Sequence, residues 1–143
     1  MIQPLFVRRR LELFFAAHTL LFGLWLLRPV ASMDGPGLTA AVAMLPEDKW
    51  GSLLFFNGLC HALALLVNGH RWWSPLIRWF AAMTTMMVYA WLSACIYIAN
   101  PESTGVANYA LLSIGAGLCL WSAWQDARIA VRIKYVTGQP NHA

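Results

Sequence analysis

Long apolar runs separated by short polar stretches dominate this chain. Four runs stand out when charged residues are taken as their boundaries: 11–27, 51–67, about 79–99 and about 106–124. At about 1.5 Å of rise per residue, runs of this length cross a hydrocarbon core about 30 Å thick, the shorter ones with local thinning. A segment in lipid must satisfy its own backbone hydrogen bonds, so each run is predicted to be a helix. The pattern predicts an all-α bundle of four transmembrane helices in one integral membrane domain, residues 1–143.

Helix-breaking and helix-starting residues lie where these runs begin or end. Pro29 follows the first run, and Asn100-Pro101 follows the third. Pro46-Glu47-Asp48 is typical of a helix start, because proline is tolerated in the first turn and acids favour the positive end of the helix dipole.

The composition agrees with a membrane protein. Hydrophobic residues make up 59% of the 143 residues and charged residues 11%, against about 45–50% and about 25% in typical soluble domains. The formal net charge is +4. In a membrane protein such a surplus orients the spans, so we expect no nucleic-acid partner.

The distribution of cations predicts the orientation. Eight of the ten cations precede span one, lie between spans two and three, or follow span four: Arg8, Arg9, Arg10, Arg71, Arg78, Arg128, Arg132 and Lys134. In a four-span protein these regions share one side, and the positive-inside rule places that side, with both termini, in the cytoplasm.

A secretory signal peptide is the alternative for span one. Its leading segment is basic, and Val30-Ala31-Ser32 is an acceptable cleavage site. The apolar run is long for a signal peptide and is interrupted by Glu12 and His18, so we expect span one to be retained.

The outer loop, 28–49, is long enough to carry structure of its own. Leu38, Ala41, Val42 and Leu45 recur at helical spacing after a Gly/Pro turn. We expect a short helix lying on the outer membrane surface, and a loop that caps the bundle is favoured over a binding role.

The inner loop, 68–77, contains His70, Arg71, Trp72 and Trp73. A cation beside paired tryptophans is typical of an interfacial anchor, and contact with anionic lipid head groups is the alternative. After Trp124 the helix is expected to continue into the cytoplasm with Arg128 and Arg132 on one face.

Polar groups inside the spans are costly and are candidates for function. Glu12 is expected to pair with Arg8 or Arg9 at the membrane boundary. Interhelical packing and hydrogen bonding are predicted for a set of polar and small residues on spans two to four: Asn57, His61, Thr85, Tyr89, Ala90, Ser93, Ala94, Ser113 and Gly117. Within this set, we expect hydrogen bonds to join Asn57, His61 and Tyr89.

His18 and His61 form a further candidate site. Counted along antiparallel spans, they lie roughly 10 Å and roughly 9 Å from the cytoplasmic ends of their helices. Two histidines at equal depth on neighbouring helices can ligate a haem b iron from both sides. A structural role for both is the competing interpretation.

No other constellation predicts catalysis. Cys60, Cys95 and Cys119 lie on separate spans without zinc-ligand spacing, and their odd number and positions favour small packing residues over disulfides. We therefore expect a non-enzymatic protein.

One family resemblance can be stated from turn and boundary residues. Trp50-Gly51 opens span two, a basic inner turn follows it, and the segment 99–105, ANPESTG, joins spans three and four. In these features the chain resembles small polytopic membrane proteins of bacteriophages and prophages, some of them labelled holin-like. The resemblance implies a bacterial inner-membrane location and a part in host lysis or in blocking superinfection.

Three functions follow from these features. The first is an accessory or exclusion protein, or a subunit of a larger membrane complex or homo-oligomer. The second is a holin-like pore former, and the third is a haem-binding redox protein that uses His18 and His61.

Overall fold

The described chain is entirely helical. A computed structural model describes residues 9–67 and 73–137, and within them we find five α-helices and no strand. The helices are α1 (Arg10–Leu26), α2 (Thr39–Met44), α3 (Glu47–Leu66), α4 (Ser74–Ala99) and α5 (Thr104–Thr137), with a 3-10 turn at Pro36–Leu38. The all-α fold class predicted from the hydrophobic pattern is confirmed.

The helix-breaking residues lie at helix ends, as the sequence predicts. Two helices are longer than their apolar runs. α3 begins directly after Pro46, and α4 ends before Asn100-Pro101. α4 begins at Ser74 rather than near residue 79, because Pro75 is accommodated in its first turn. α5 continues past Trp124 to Thr137, as expected from the continued helical pattern.

Two of the four predicted spans are helices that are both long enough and apolar enough to cross a membrane. In the part of the chain that the structure describes, Ser74–Ala99 and Thr104–Ile129 are long and apolar enough to cross a membrane. α1 has 17 residues, and α3 opens with the charged segment Glu47-Asp48-Lys49. Length and hydropathy alone thus support a membrane association through α4 and α5.

Glycines allow α1 and α3 to pack at very short distance. The most extensive contacts pair α1 with α3 and α4 with α5, and α3 lies against α4. A Cβ added to Gly23 would lie 2.3 Å from the backbone nitrogen of Phe55, and one added to Gly58 would lie 2.5 Å from that of Leu20. Since no real Cβ tolerates such distances to a backbone atom, both positions require glycine.

The segment between α1 and α3 covers one end of the bundle. Its 3-10 turn and α2 contact α4, Met33 and Ala41 are buried, and the Trp50 indole N–H donates to the Ala41 carbonyl at 2.9 Å. The apolar face of α2 therefore packs on the bundle rather than lying free on a membrane surface. The helical periodicity was predicted correctly, and capping the bundle is the arrangement found.

Glu47 fastens this segment to the start of α3. Its carboxylate accepts hydrogen bonds from the Ser32 hydroxyl, from the Ser32 backbone N–H at 2.9 Å and from the Met33 N–H at 3.2 Å. Slight burial raises the pKa of Glu47, but the Ser32 and Met33 hydrogen bonds outweigh it and hold the pKa below its ordinary value. The ionised carboxylate is thus the form that the fold stabilises.

The Gly23 contact can be tested against a matched glycine. Gly23→Ala gains about 1 kcal/mol of helix propensity, yet we expect a net loss of about 1–3 kcal/mol in unfolding free energy because two backbones must separate. Gly35→Ala is the control, since no described atom lies within 4 Å of the added Cβ. Unfolding in mixed detergent micelles measures both. A Gly23→Ala protein as stable as the control would contradict this packing.

Candidate functional site: a charged joint of four helices

A fully buried arginine lies at the end of the bundle where α1 begins. Arg78 of α4 is 0% exposed and Glu12 of α1 is 2% exposed. The Arg78 Nε–H donates to Glu12 Oε2 and its Nη2–H donates to Glu12 Oε1, each at 2.7 Å. This is a two-pronged, charge-assisted pair, the strongest class of side-chain hydrogen bond.

The pair extends to α5. Asp126 accepts from Arg78 Nη2 at 3.0 Å and from Arg9 Nη2 at 2.7 Å, and the Ser122 hydroxyl donates to Glu12 Oε1 at 3.1 Å. We call Arg9, Glu12, His61, Arg78, Ser122 and Asp126 the charged joint. It contains side chains from all four long helices.

Local helix geometry directs Arg78 inward. The Ser74 hydroxyl donates to the Ala64 carbonyl at 2.6 Å, which attaches the first turn of α4 to the last turn of α3. Arg78 follows one turn later and shares its buried face with Ala81, Ala82 and Thr85. Small neighbours leave room for the guanidinium between the helices.

The charges of the joint balance. Two arginines face two carboxylates, so that no buried charge lacks a counter-charge. Burial lowers the pKa of Arg9, the nearby Arg78 charge lowers it further, and Asp126 opposes both. A buried pair of this kind contributes little net stability, but removal of one partner is severe because the other charge is left without compensation.

His61 of α3 completes the joint without a direct hydrogen bond. It is 1% exposed, and its Nε2 lies 3.8 Å from Glu12 Oε2, beyond hydrogen-bond distance. Within residues 9–67 and 73–137, neither ring nitrogen has a hydrogen-bond partner. The contact is therefore electrostatic and depends on the protonation state of the imidazole.

The expected pairing of Glu12 with Arg9 was wrong. The sequence favoured Arg8 or Arg9, because those residues are helical neighbours of Glu12. Instead Glu12 pairs with Arg78, 66 positions away in sequence, and Arg9 pairs with Asp126. Arg8 lies outside the described residues. Helical spacing reveals only partners on the same helix, so this interhelical pairing was missed.

His18 belongs to a different polar group. Its Nδ1 lies 2.7 Å from the Tyr89 hydroxyl, and the rings of Phe14 and Phe22 flank the imidazole. His18 and His61 thus have different partners, one an α4 tyrosine and the other the charged joint. The structure does not bring them together through any shared contact, and haem ligation stays a prediction.

Several of the packing residues predicted on spans two to four, among them Asn57, Ser93 and Ser113, hydrogen-bond to neighbouring helices, and the partners of Asn57 differ from those expected. The Asn57 amide donates to Thr85 Oγ1 at 2.9 Å and to the Ala81 carbonyl at 3.1 Å, rather than joining His61 and Tyr89. Ser93 donates to the Val106 carbonyl, and Ser113 donates to that of Met86.

The small residues predicted at the α4–α5 contact contribute less. A Cβ added to Gly117 would lie 3.4 Å from the Met86 sulfur, an ordinary contact distance. Ala90 and Ala94 are exposed rather than facing α5. The close glycine contacts with backbone atoms lie instead at Gly23 and Gly58, between α1 and α3. The seven-residue spacing of Gly51 and Gly58 is the sequence signal for the α3 side of this contact.

The predicted inner-loop anchor falls mostly outside the described chain. His70, Arg71 and Trp72 are not among the described residues, and Trp73 directly precedes α4.

An open groove runs along the outer side of α3 and α4. It encloses about 450 Å³ and is lined by a mixture of large apolar and small polar side chains: Ser52, Leu53, Phe56, Asn57, Cys60, Ile77, Phe80, Ala81 and Thr84. Small polar side chains, among them Asn57 and Thr84, thus lie among the large apolar side chains of this groove.

The coupling within the charged joint can be measured with a double-mutant cycle. We expect Arg78→Leu to lower the unfolding free energy by about 3–5 kcal/mol, because Glu12 and Asp126 then lose a buried counter-charge. Glu12→Leu should have a similar effect, and the double variant should lose about 1–3 kcal/mol less than the sum. Unfolding in mixed micelles measures all three.

Lys49→Gln is the control for this cycle. Its exposed pair with Asp48, 3.4 Å long, is worth less than about 1 kcal/mol. Strict additivity of the Arg78 and Glu12 effects would show that the two side chains do not act as a pair.

Comparison with known proteins identifies no relative of this chain. The sequence matches no protein-family model, and no curated protein or solved structure is significantly similar to it.

Proposed function

We propose that this chain is a four-span integral membrane protein that acts without catalysis as an accessory subunit of a membrane complex. The observation that carries the proposal is the inverted distribution of polarity. Charged side chains are buried in the joint, and large apolar side chains are exposed on every long helix.

The exposed apolar surface is too extensive for a protein surrounded by water. It includes at least four large side chains from each long helix: Phe14, Leu21, Leu24 and Trp25; Leu53, Phe56, Leu63 and Leu66; Phe80, Met87, Trp91 and Ile98; Leu111, Ile114, Leu118 and Trp121. Monomeric soluble proteins rarely expose contiguous apolar patches above a few hundred Å². Such a surface is favourable when hydrocarbon, rather than water, surrounds it. The exposed apolar side chains on α1 and α3 therefore support these two helices as spans beside α4 and α5.

The orientation follows from the side on which the cations cluster. The charged joint lies at the start of α1 and α4 and towards the ends of α3 and α5, which is the end predicted to be cytoplasmic. We infer that both termini lie in the cytoplasm, as the positive-inside rule requires. A bacterial inner membrane and a phage-type setting, with a role in exclusion or as an accessory protein, are part of this proposal.

The packed interior favours an accessory role over a holin-like pore within one bundle. Leu54, Tyr89 and Leu92 are at most 2% exposed and fill the space between helices, and the charged joint fills the cytoplasmic end. Water conduction through one bundle would require these side chains to leave their positions.

The groove between α3 and α4 offers a place for a partner. The Asn57 amide N–H groups already donate to α4, so the groove side chains that would face acyl chains if nothing covered them are Cys60 and Thr84. A partner helix with hydroxyl or amide groups satisfies them better, since interhelical hydrogen bonds are worth about 0.6–2 kcal/mol in membranes. We therefore propose a transmembrane helix of the complex as the occupant.

Cysteine labelling tests the four-span topology. In a cysteine-free background, Gly35→Cys and Ser103→Cys should react with an impermeant thiol reagent added to intact cells, because both positions lie on the proposed outer side. Thr137→Cys should react only after the membrane is opened. The reverse pattern would overturn the orientation, and labelling of Gly35→Cys and Ser103→Cys from opposite sides would overturn the four-span arrangement.

Photocrosslinking tests the groove as a helix-docking site. A photoreactive phenylalanine analogue at Phe56, in the groove, is compared with one at Leu21 of α1, because the two side chains are 59% and 62% exposed. We expect Phe56 to form an adduct at one defined apolar segment of a protein, and Leu21 to label lipid. Lipid adducts alone at both positions would contradict the docking role, and an adduct to a second copy would identify the complex as a homo-oligomer.

A further inference from the structure

At the proposed cytoplasmic end of the bundle, the described acidic side chains form ion pairs within the protein. Glu12 and Asp126 both bind arginines within the charged joint. The side chains that remain exposed there and carry charge, among those the structure describes, are Arg10, Arg128 and Arg132. This end therefore presents cations without competing carboxylates.

Two of these cations share one recess on α5. Gln125, Arg128, Ile129 and Arg132 line an open depression of about 240 Å³. Their spacing of three, four and seven residues places them on one face of the helix. The recess combines two guanidinium groups, one amide and one apolar side chain.

The depth of this recess matches the head-group layer. Arg128 lies four residues beyond Trp124, the end of the predicted span, and so about 6 Å further along the axis. The polar layer on each side of a bilayer is about 5–7 Å thick. Side chains on a helix tilt toward its N-terminus, so Arg132, about 12 Å beyond Trp124, points back toward the membrane.

From charge, depth and direction, we propose that Gln125, Arg128, Ile129 and Arg132 bind the head group of an anionic phospholipid. Guanidinium groups hold phosphate oxygens through paired N–H donors, and the Gln125 amide adds a donor. Ile129 contacts the glycerol and the first acyl carbons. This site rests on the membrane location proposed above.

Lipid retention measured by native mass spectrometry tests the site. The protein is purified in micelles containing phosphatidylglycerol and phosphatidylcholine at equal mole fraction and with the same acyl chains. We expect phosphatidylglycerol to be retained in preference. In the double variant Arg128→Gln/Arg132→Gln the preference should fall by about 30-fold. Each cation near an anionic surface contributes a factor of roughly five, and the two factors multiply.

A control with the same change in charge separates a site from net charge. Arg28→Gln/Lys49→Gln removes two cations at the opposite end and should leave the preference unchanged. Equal losses in the two double variants would overturn the site. So would displacement of phosphatidylglycerol by millimolar inorganic phosphate, because the recess would then be a phosphate site rather than a lipid site.

The same preparation distinguishes failure of the site from failure of the membrane proposal. Equal retention of both lipids by the wild-type protein would overturn the lipid site alone. A protein that stays folded in buffer without detergent and retains neither lipid would overturn the membrane location, and the lipid site with it.

Discussion

The guanidinium group of Arg78 imposes the main constraint on this structure. A charge removed from water is costly unless oppositely charged groups surround it, and Arg78 is fully buried. Its counter-charges are Glu12 on α1 and Asp126 on α5. The first and last helices must therefore meet at the start of α4, and this requirement sets the relative height and rotation of three helices. His61 places α3 at the same level.

Away from the charged joint, close contacts between helices determine how the rest of the bundle packs. Gly23 and Gly58 let the backbones of α1 and α3 come into direct contact, which holds Glu12 and His61 near each other within the charged joint. At the opposite end, Glu47 and Trp50 hold the α1–α3 connection over the bundle. The interior is thus closed at both ends, by ion pairs at one and by a packed loop at the other. This closure agrees with a static, accessory role.

The same joint explains the surface chemistry of the protein. Glu12 and Asp126 are paired with arginines inside the charged joint. Arg10, Arg128 and Arg132 at the same end of the bundle are exposed and are not among those paired arginines. Above them, every long helix exposes large apolar side chains. On the functions proposed above, this surface would offer lipid a generic contact over most of its perimeter, an anionic-lipid contact at the head groups, and a groove suited to another helix.

The sequence by itself determined the helices, their breaks at Pro46 and Pro101, and the cluster of cations that predicts the topology. These features depend on local backbone chemistry and on apolar runs, which are properties of neighbouring residues. It also indicated that Asn57, Ser93 and Ser113 face other helices, without identifying their acceptors. Only the tertiary structure decided that Glu12 pairs with Arg78 rather than Arg9, that Asp126 completes the joint, and that His18 and His61 have separate partners. Those pairings depend on the rotation of each helix about its axis, and that rotation is set by contacts between residues far apart in sequence.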